Sequence, residues 1–209
     1  GNHVSMQIDA WVRTSTGDGA ADSIVGDNLI DKMFGNGGAD HLFGVGGNDQ
    51  LYGLAGDDYL SGGAGNDYLS GGDNNDTFFG GAGKDTMVGG AGNDSYYIQV
   101  GDGSDLVVEL AGGGTNDRIL SAISYSLAAG SGVEVLSTNN NAGTVAINLV
   151  GSNLANTIIG NNGTNVINGL GGNDLLYGGG GAVDYFVFAS TPNTATNIDR
   201  IADWSSAGD

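Results

Sequence analysis

Aspartate recurs every ninth residue without a slip, at Asp22, Asp31, Asp40, Asp49, Asp58, Asp67, Asp76, Asp85 and Asp94. Two positions after each stands an apolar residue: Ile24, Met33, Leu42, Leu51, Leu60, Leu69, Phe78, Met87 and Tyr96. A glycine opens each unit, at Gly17, Gly26, Gly35, Gly44, Gly53, Gly62, Gly71, Gly80 and Gly89. One apolar side chain per nine residues cannot bury itself alone, so units of this kind are stable only when stacked into a common core. That requirement constrains the fold more than any other feature of the chain.

The residue types within a unit dictate its shape. Six positions rich in Gly, Asn and Asp make a turn whose backbone visits φ > 0, a region that side chains with a Cβ resist. Three residues then run extended, and the middle one points opposite to its neighbours. The middle one is apolar and faces inward, which leaves Lys32, His41, Gln50 and Thr86 facing out. Two units make one coil of 18 residues, so each strand pairs in parallel with the strand 18 residues away, about 4.8 Å along the stack.

Composition excludes the competing classes. With 42 Gly but one Pro and no three-residue period, the chain is not collagen-like. The net charge of −19 suggests disorder, but the 39% hydrophobic fraction is regularly spaced. Acidity is supplied by 22 Asp against only Glu109 and Glu134, a demand for the short carboxylate. The basic residues (Arg13, Lys32, Lys84, Arg118, Arg200) are too few and too scattered for nucleic acid or an anionic membrane surface. There is no cysteine, hence no disulfide and no thiolate metal site. No stretch reaches the roughly 20 apolar residues of a membrane span. The segment Gly1 to Met6 lacks a signal-peptide pattern and position 1 is not Met, so the chain reads as a piece of a longer protein.

Stacking gathers the aspartates into two columns: Asp22, Asp40, Asp58, Asp76 and Asp94 on one edge, and Asp31, Asp49, Asp67 and Asp85 on the other. Two carboxylates about 5 Å apart repel by about 3 kcal/mol at an effective dielectric of about 20. A column of such pairs is large against a net domain stability of about 5–15 kcal/mol. A divalent cation between successive turns reverses each sign. The donors are carboxylate and backbone oxygens in irregular turns, which favours Ca²⁺ over Mg²⁺; zinc and copper would want Cys and His.

The clearest copies, Gly62-Gly63-Ala64-Gly65-Asn66-Asp67-Tyr68-Leu69-Ser70 and Gly89-Gly90-Ala91-Gly92-Asn93-Asp94-Ser95-Tyr96-Tyr97, resemble the repeats-in-toxin (RTX) nonapeptide. The resemblance covers 17–97 closely and returns, degraded, over 151–188. It implies an all-β fold: a right-handed parallel β-roll (β-solenoid) with 18 residues per coil and short flanking or capping strands. It also implies a cation between turns 18 residues apart. The lower turn gives its second and fourth carbonyls and its Asp; the upper gives its first and third carbonyls and its Asp. Carried over residue by residue, one site comprises Asn36, Gly38 and Asp40 with Gly53, Ala55 and Asp58. A second comprises Val45, Gly47 and Asp49 with Gly62, Ala64 and Asp67. A third uses Leu54, Gly56 and Asp58 with Gly71, Asp73 and Asp76, and a fourth Gly63, Gly65 and Asp67 with Gly80, Ala82 and Asp85. The fifth uses Gly72, Asn74 and Asp76 with Gly89, Ala91 and Asp94. Two further sites, on Asp22 with Gly35 and Gly37 and on Asp31 with Gly44 and Gly46, depart from the pattern, because Ala20 and Leu29 stand where the fourth glycine belongs. About five to seven Ca²⁺ ions are therefore expected in the first block. Asn74 also replaces a fourth glycine, but Asn tolerates the left-handed region.

The organisation reads as an N-terminal flank 1–16, whose Ile8, Trp11 and Val12 would end an upstream domain, followed by roll block 17–97. A non-repeat β segment spans 98–150, with alternation at Leu106–Val108, Arg118–Leu120, Val133–Leu136 and Val145–Val150, and it continues or caps the solenoid. The second block, 151–188, holds Asn156 and Asn165 at the Asp position, then Asp174 and Asp184. Asn keeps the turn and removes the charge, so 151–168 reads as a metal-free coil while Asp174 and Asp184 are candidate ligands. Residues 189–209, with Asp199 to Trp204, resemble the start of C-terminal capping strands.

No catalytic pattern stands out. Gly35–Gly44 lacks the helix and Lys-Ser/Thr of a phosphate loop, no Glu completes an EF-hand, His3 and His41 are isolated, and no G-x-S-x-G occurs. The outward Phe34, Phe43, Tyr52, Phe79 and Tyr97 serve either strand packing or docking of an upstream domain or a second copy. The resemblance implies a non-enzymatic, calcium-binding module of a bacterial protein exported by the type I secretion machinery, folding on calcium outside the cell, extracellular or at the cell surface. The alternatives are the tail of a secreted metalloprotease, lipase or polysaccharide-modifying enzyme, and an adhesin or surface-layer repeat.

Overall fold

The computed structural model describes residues 5–9 by their backbone and residues 12–101, 104–110, 112–181, 183–188 and 197–203 in full. His3, Trp11, Trp204 and most of 189–209 lie outside the described residues, as does the side chain of Ile8. The chain falls into two compact units, Gly1–Thr115 and Asn116–Asp209. The elements of both are strands joined by turns. Among the described residues no helix is long and apolar enough to cross a membrane.

In the first unit an antiparallel pair, β1 (Ser5–Asp9) and β2 (Val12–Thr16), leads into the coils. Strands β3 (Ser23–Val25), β5 (His41–Gly46), β7 (Tyr59–Ala64), β9 (Thr77–Ala82) and β11 (Ser95–Ile98) form one parallel sheet. Facing it, β2 is followed by β4 (Ile30–Gly37), β6 (Gln50–Ala55), β8 (Tyr68–Asp73), β10 (Thr86–Ala91) and β12 (Leu106–Val108). Met33 aligns with Leu51, Leu51 with Leu69 and Leu69 with Met87, so the coil is 18 residues long, as the period requires. The apolar residue of every unit from Met33 to Tyr96 is fully buried, and Ile24 is 3% exposed. These side chains form a thin core between the sheets, with Phe78 stacked on Tyr96 at 4.8 Å.

Strands β4 to β10 are longer than the three residues expected. In them the pairing runs on into the turn, as in Asn36 with Leu54, Val45 with Gly63 and Gly46 with Ala64. The reason is that turns of one shape, stacked in register, bond to each other as strands do. Fifth-position side chains add an outer line: Asn48 Oδ1 accepts from the Asn66 N–H at 2.9 Å, and Asn66 Oδ1 from the Lys84 N–H at 2.8 Å. On the outer faces the aromatic rings pack on one another, Phe34 on Tyr52 at 5.0 Å and Phe79 on Tyr97 at 4.5 Å. These contacts favour the strand-packing reading of these rings.

The second unit repeats the design with uneven coils. Strands β13 (Arg118–Ser121), β15 (Val135–Thr138), β17 (Thr157–Ile159), β19 (Leu175–Tyr177) and β21 (Arg200–Ile201) form one parallel sheet. Opposite them lie β14 (Tyr125–Ser126), β16 (Leu149–Val150), β18 (Val166–Asn168) and β20 (Tyr185–Val187). Partners are Arg118 with Val135, Val135 with Thr157, Thr157 with Leu175 and Leu175 with Arg200. The nine-residue period fades over 118–150 because the turns vary in length, while the inward positions persist: Ile119, Leu136, Leu149, Ile158, Ile167 and Leu176 are all fully buried.

Candidate metal centre

Each repeat aspartate of the first unit lies at the end of its turn, 0–3% exposed. From Asp40 onward, Oδ1 accepts the backbone N–H of the aspartate one coil earlier: Asp22 to Asp40, Asp31 to Asp49, Asp40 to Asp58, Asp49 to Asp67, Asp67 to Asp85 and Asp76 to Asp94 at 2.8 Å, and Asp58 to Asp76 at 2.9 Å. The aspartate's own carbonyl accepts from the first strand residue of the next coil, as Asp40 does from Tyr59 at 2.8 Å. The two columns expected from the spacing are thus assembled, rung by rung.

The second oxygen is the telling one. Oδ2 of Asp40, Asp49, Asp58, Asp67 and Asp76 is buried with no hydrogen-bond partner. It sits against the Cα of its turn's opening glycine (Gly35, Gly44, Gly53, Gly62, Gly71), where a Cβ would collide with it. A buried anionic oxygen without a donor is costly unless a cation completes it. The turn backbone is shaped accordingly. The second residue has positive φ at Asn36, Val45, Leu54, Gly63 and Gly72, and the fourth at Gly38, Gly47, Gly56, Gly65 and Asn74. The upper-turn residues Gly53, Gly62, Gly71, Gly80 and Gly89 are buried, whereas Ala55, Ala64, Asp73, Ala82 and Ala91 lie at exposed positions. The third-position carbonyls of Ala64, Asp73 and Ala82 accept one N–H each, from Gly47, Gly56 and Gly65 at 2.8, 3.2 and 2.8 Å, which leaves each a second lone pair. This donor set, carboxylate and carbonyl oxygen alone, fits Ca²⁺.

Burial pushes the carboxyls of Asp49, Asp58 and Asp67 up to about 6 and that of Asp76 up to about 8. The N–H from the preceding aspartate opposes this shift, and neighbouring carboxylates of the column add to it. Asp40 is raised for the same reasons. In the second unit burial raises Asp174 to about 7.

The first two turns differ. Asp18, Ala20, Asp27 and Leu29 are not among the residues with positive φ. Oδ2 of Asp22 accepts the Asp18 N–H at 2.7 Å, and Oδ2 of Asp31 the Asp27 N–H at 3.0 Å. Gly37 and Gly46 donate to the Asp18 and Asp27 carbonyls, and Gly35 and Gly44 are buried beside their own aspartates. The Asn156 and Asn165 turns close in the same local way, Oδ1 accepting from Ser152 and Asn161 at 2.7 and 2.9 Å. Their amide N–H groups donate to the Val133 and Ile147 carbonyls at 2.8 and 3.0 Å, so 151–168 closes through side-chain amides. The Asp174 turn returns to the left-handed form at Leu170 and Gly172, and its Oδ2 has no hydrogen-bond partner. The Asp184 turn has positive φ at Gly179 and Gly181, and Asp184 Oδ1 accepts the Asn165 N–H at 2.9 Å.

Some rungs escape the nine-residue count. Asp105 Oδ1 accepts the Asp85 N–H at 2.9 Å, and Asp199 Oδ1 the Asp174 N–H at 3.2 Å. The signal was present as Asp followed two residues later by Val107 or Ile201, but irregular turn lengths hid it. His41 is exposed and stacks on Tyr59 at 5.5 Å, on an outer face.

The model of the RTX calcium-binding nonapeptide repeat matches at 16–51, 34–69, 43–78, 61–96 and 150–182, together more than half of the chain. No curated protein and no solved structure matches. Repeats of this family are typical of type I secreted bacterial proteins. With the stacked aspartate columns, the left-handed turns and the matched repeats in place, the chain belongs to the family of RTX calcium-binding nonapeptide repeats.

Proposed function

We propose that this chain is a non-catalytic calcium-responsive module that folds on meeting Ca²⁺ outside the cell, and so supports secretion and stabilisation of a type I secreted bacterial protein. The observation that carries this reading is the buried Oδ2 atoms in the two columns, on Asp40, Asp58 and Asp76 and on Asp49 and Asp67. A bound Ca²⁺ supplies the positive charge that such columns need. The residues that would hold it are the five sets beginning Asn36–Gly38–Asp40, Val45–Gly47–Asp49, Leu54–Gly56–Asp58, Gly63–Gly65–Asp67 and Gly72–Asn74–Asp76, each with the turn one coil later. Without the cation, buried carboxylates stacked in two columns oppose stacking of the coils, so binding energy becomes folding energy. Extracellular modules bind Ca²⁺ with Kd of about 10⁻⁴–10⁻³ M, which keeps them empty in the cytoplasm.

Calcium titration of the chelated chain, followed by far-UV circular dichroism, tests the proposal. Cooperative gain of β signal with Ca²⁺ and none with Mg²⁺ is expected. An identical β spectrum and protease resistance with and without Ca²⁺ would falsify it.

A further inference from the structure

The Asp31 column ends on a guanidinium. Arg13 lies in β2 directly across from Asp31 in the parallel register, where an earlier rung of that column would stand. Its Nε donates to Asp31 Oδ1 at 3.0 Å and its Nη2 to Asp31 Oδ2 at 3.4 Å, while Nη2 also lies 3.1 Å from Asp27 Oδ2. The Asp31 side chain is 2% exposed, and that of Arg13 is 24% exposed. Both Asp31 oxygens are satisfied, Oδ2 also by the Asp27 N–H. The turn around them lacks the left-handed second and fourth residues found at Asp40 to Asp76. Asp22, on the other edge, has no such partner for its buried Oδ1.

We propose that Arg13 is a resident counter-ion that closes the Asp31 column without metal, so that the position between the 26–31 and 44–49 turns takes no Ca²⁺. The guanidinium is always charged and forks onto a carboxylate, the geometry a buried pair needs. The Asp31 edge of the coil running from Val12 through Phe34 is then a metal-independent end on which calcium-bound coils stack. The inference rests on the calcium reading given above, and the test separates the two.

Bound calcium per chain is counted by equilibrium dialysis, and thermal midpoints are read in saturating Ca²⁺, for the wild-type chain, D31N, D67N, R13Q and R13Q/D31N. D31N keeps the wild-type count and D67N loses at least one ion. R13Q keeps the count but lowers the midpoint by about 5–15 °C, because it strands a buried carboxylate. R13Q/D31N recovers most of that loss, since the stranded charge is gone. Loss of an ion in D31N makes Asp31 a metal ligand and overturns the proposal. So does an unchanged midpoint in R13Q, or a double variant no better than R13Q. If D67N keeps the full count, the calcium reading fails instead, while the midpoints still decide whether Arg13 and Asp31 act as a pair.

Discussion

Val45 and Leu54 sit at φ 80 and φ 83, a region costly for any residue with a Cβ and most of all for a β-branched one. Both side chains are more than 40% exposed, so no packing is gained in return. Their conformation is imposed by the stacked turns on either side. Val45→Gly is therefore expected to stabilise the calcium-loaded chain by about 0.5–1 kcal/mol, after the entropy cost of glycine is subtracted. Urea unfolding in saturating Ca²⁺ measures it. The reverse holds at Gly56, at φ 130, where a Cβ would run into the Gly38 carbonyl oxygen of the turn below. Gly56→Ala should cost at least about 2 kcal/mol in the same measurement, since backbone cannot yield as a side chain can. Equal stability of the two variants and wild type would show that the turns are not held in the left-handed form.

One coil contacts only its neighbours, so the element that matters energetically is the coil interface rather than the single strand. Leu60 is fully buried between the facing sheets, aligned with Leu42 and Phe78 one coil to either side. Leu60→Ala should cost about 2–5 kcal/mol. In a quasi-one-dimensional stack the damage is local. Hydrogen exchange should therefore quicken in β5, β7 and β9 more than in β2 or β12; uniform quickening would mean that the unit unfolds as a single block. The same logic explains the second unit, where turns of unequal length separate strands whose inward residues still align, Ile119 with Leu136 and Leu136 with Ile158. Coil length tolerates variation because the turn projects outward, whereas the inward apolar position cannot move without emptying the core.

At the scale of the whole molecule the acidic columns set the response to pH. The carboxyls of Asp49, Asp58, Asp67 and Asp76 titrate at about 6 to about 8 in the metal-free fold, against about 4 in an unfolded chain. Between those values the folded form binds more protons than the unfolded form, so its stability falls as pH rises. The metal-free chain is then most stable near pH 4 and loses that stability progressively up to about pH 8. Its net charge of −19 at pH 7 adds self-repulsion of the same sign. Thermal unfolding in chelator should give a higher midpoint at pH 5 than at pH 8; the opposite order would mean that the buried columns are not what titrates. With saturating Ca²⁺ the dependence should reverse, because protons then compete with the ligand for the same oxygens.

The sequence by itself determined the coil. A period of nine with one inward apolar residue admits an 18-residue parallel coil, and the same spacing places the aspartates Asp40 to Asp94 in columns, because alternation along a strand and stacking of equal turns are local rules. Tertiary structure decided what local rules cannot reach. It made Val45 and Leu54 left-handed against their own preference while leaving the 17–22 and 26–31 turns otherwise, and it carried the sheet through the turns. It also brought Asp105 and Asp199 to the columns from outside the period, and paired Arg13, in phase but of opposite charge, with the end of one column. Each of these depends on which backbone lies one coil away, a partner 18, 20 or 25 residues distant. The free energy of such a pairing belongs to the stack and not to the segment.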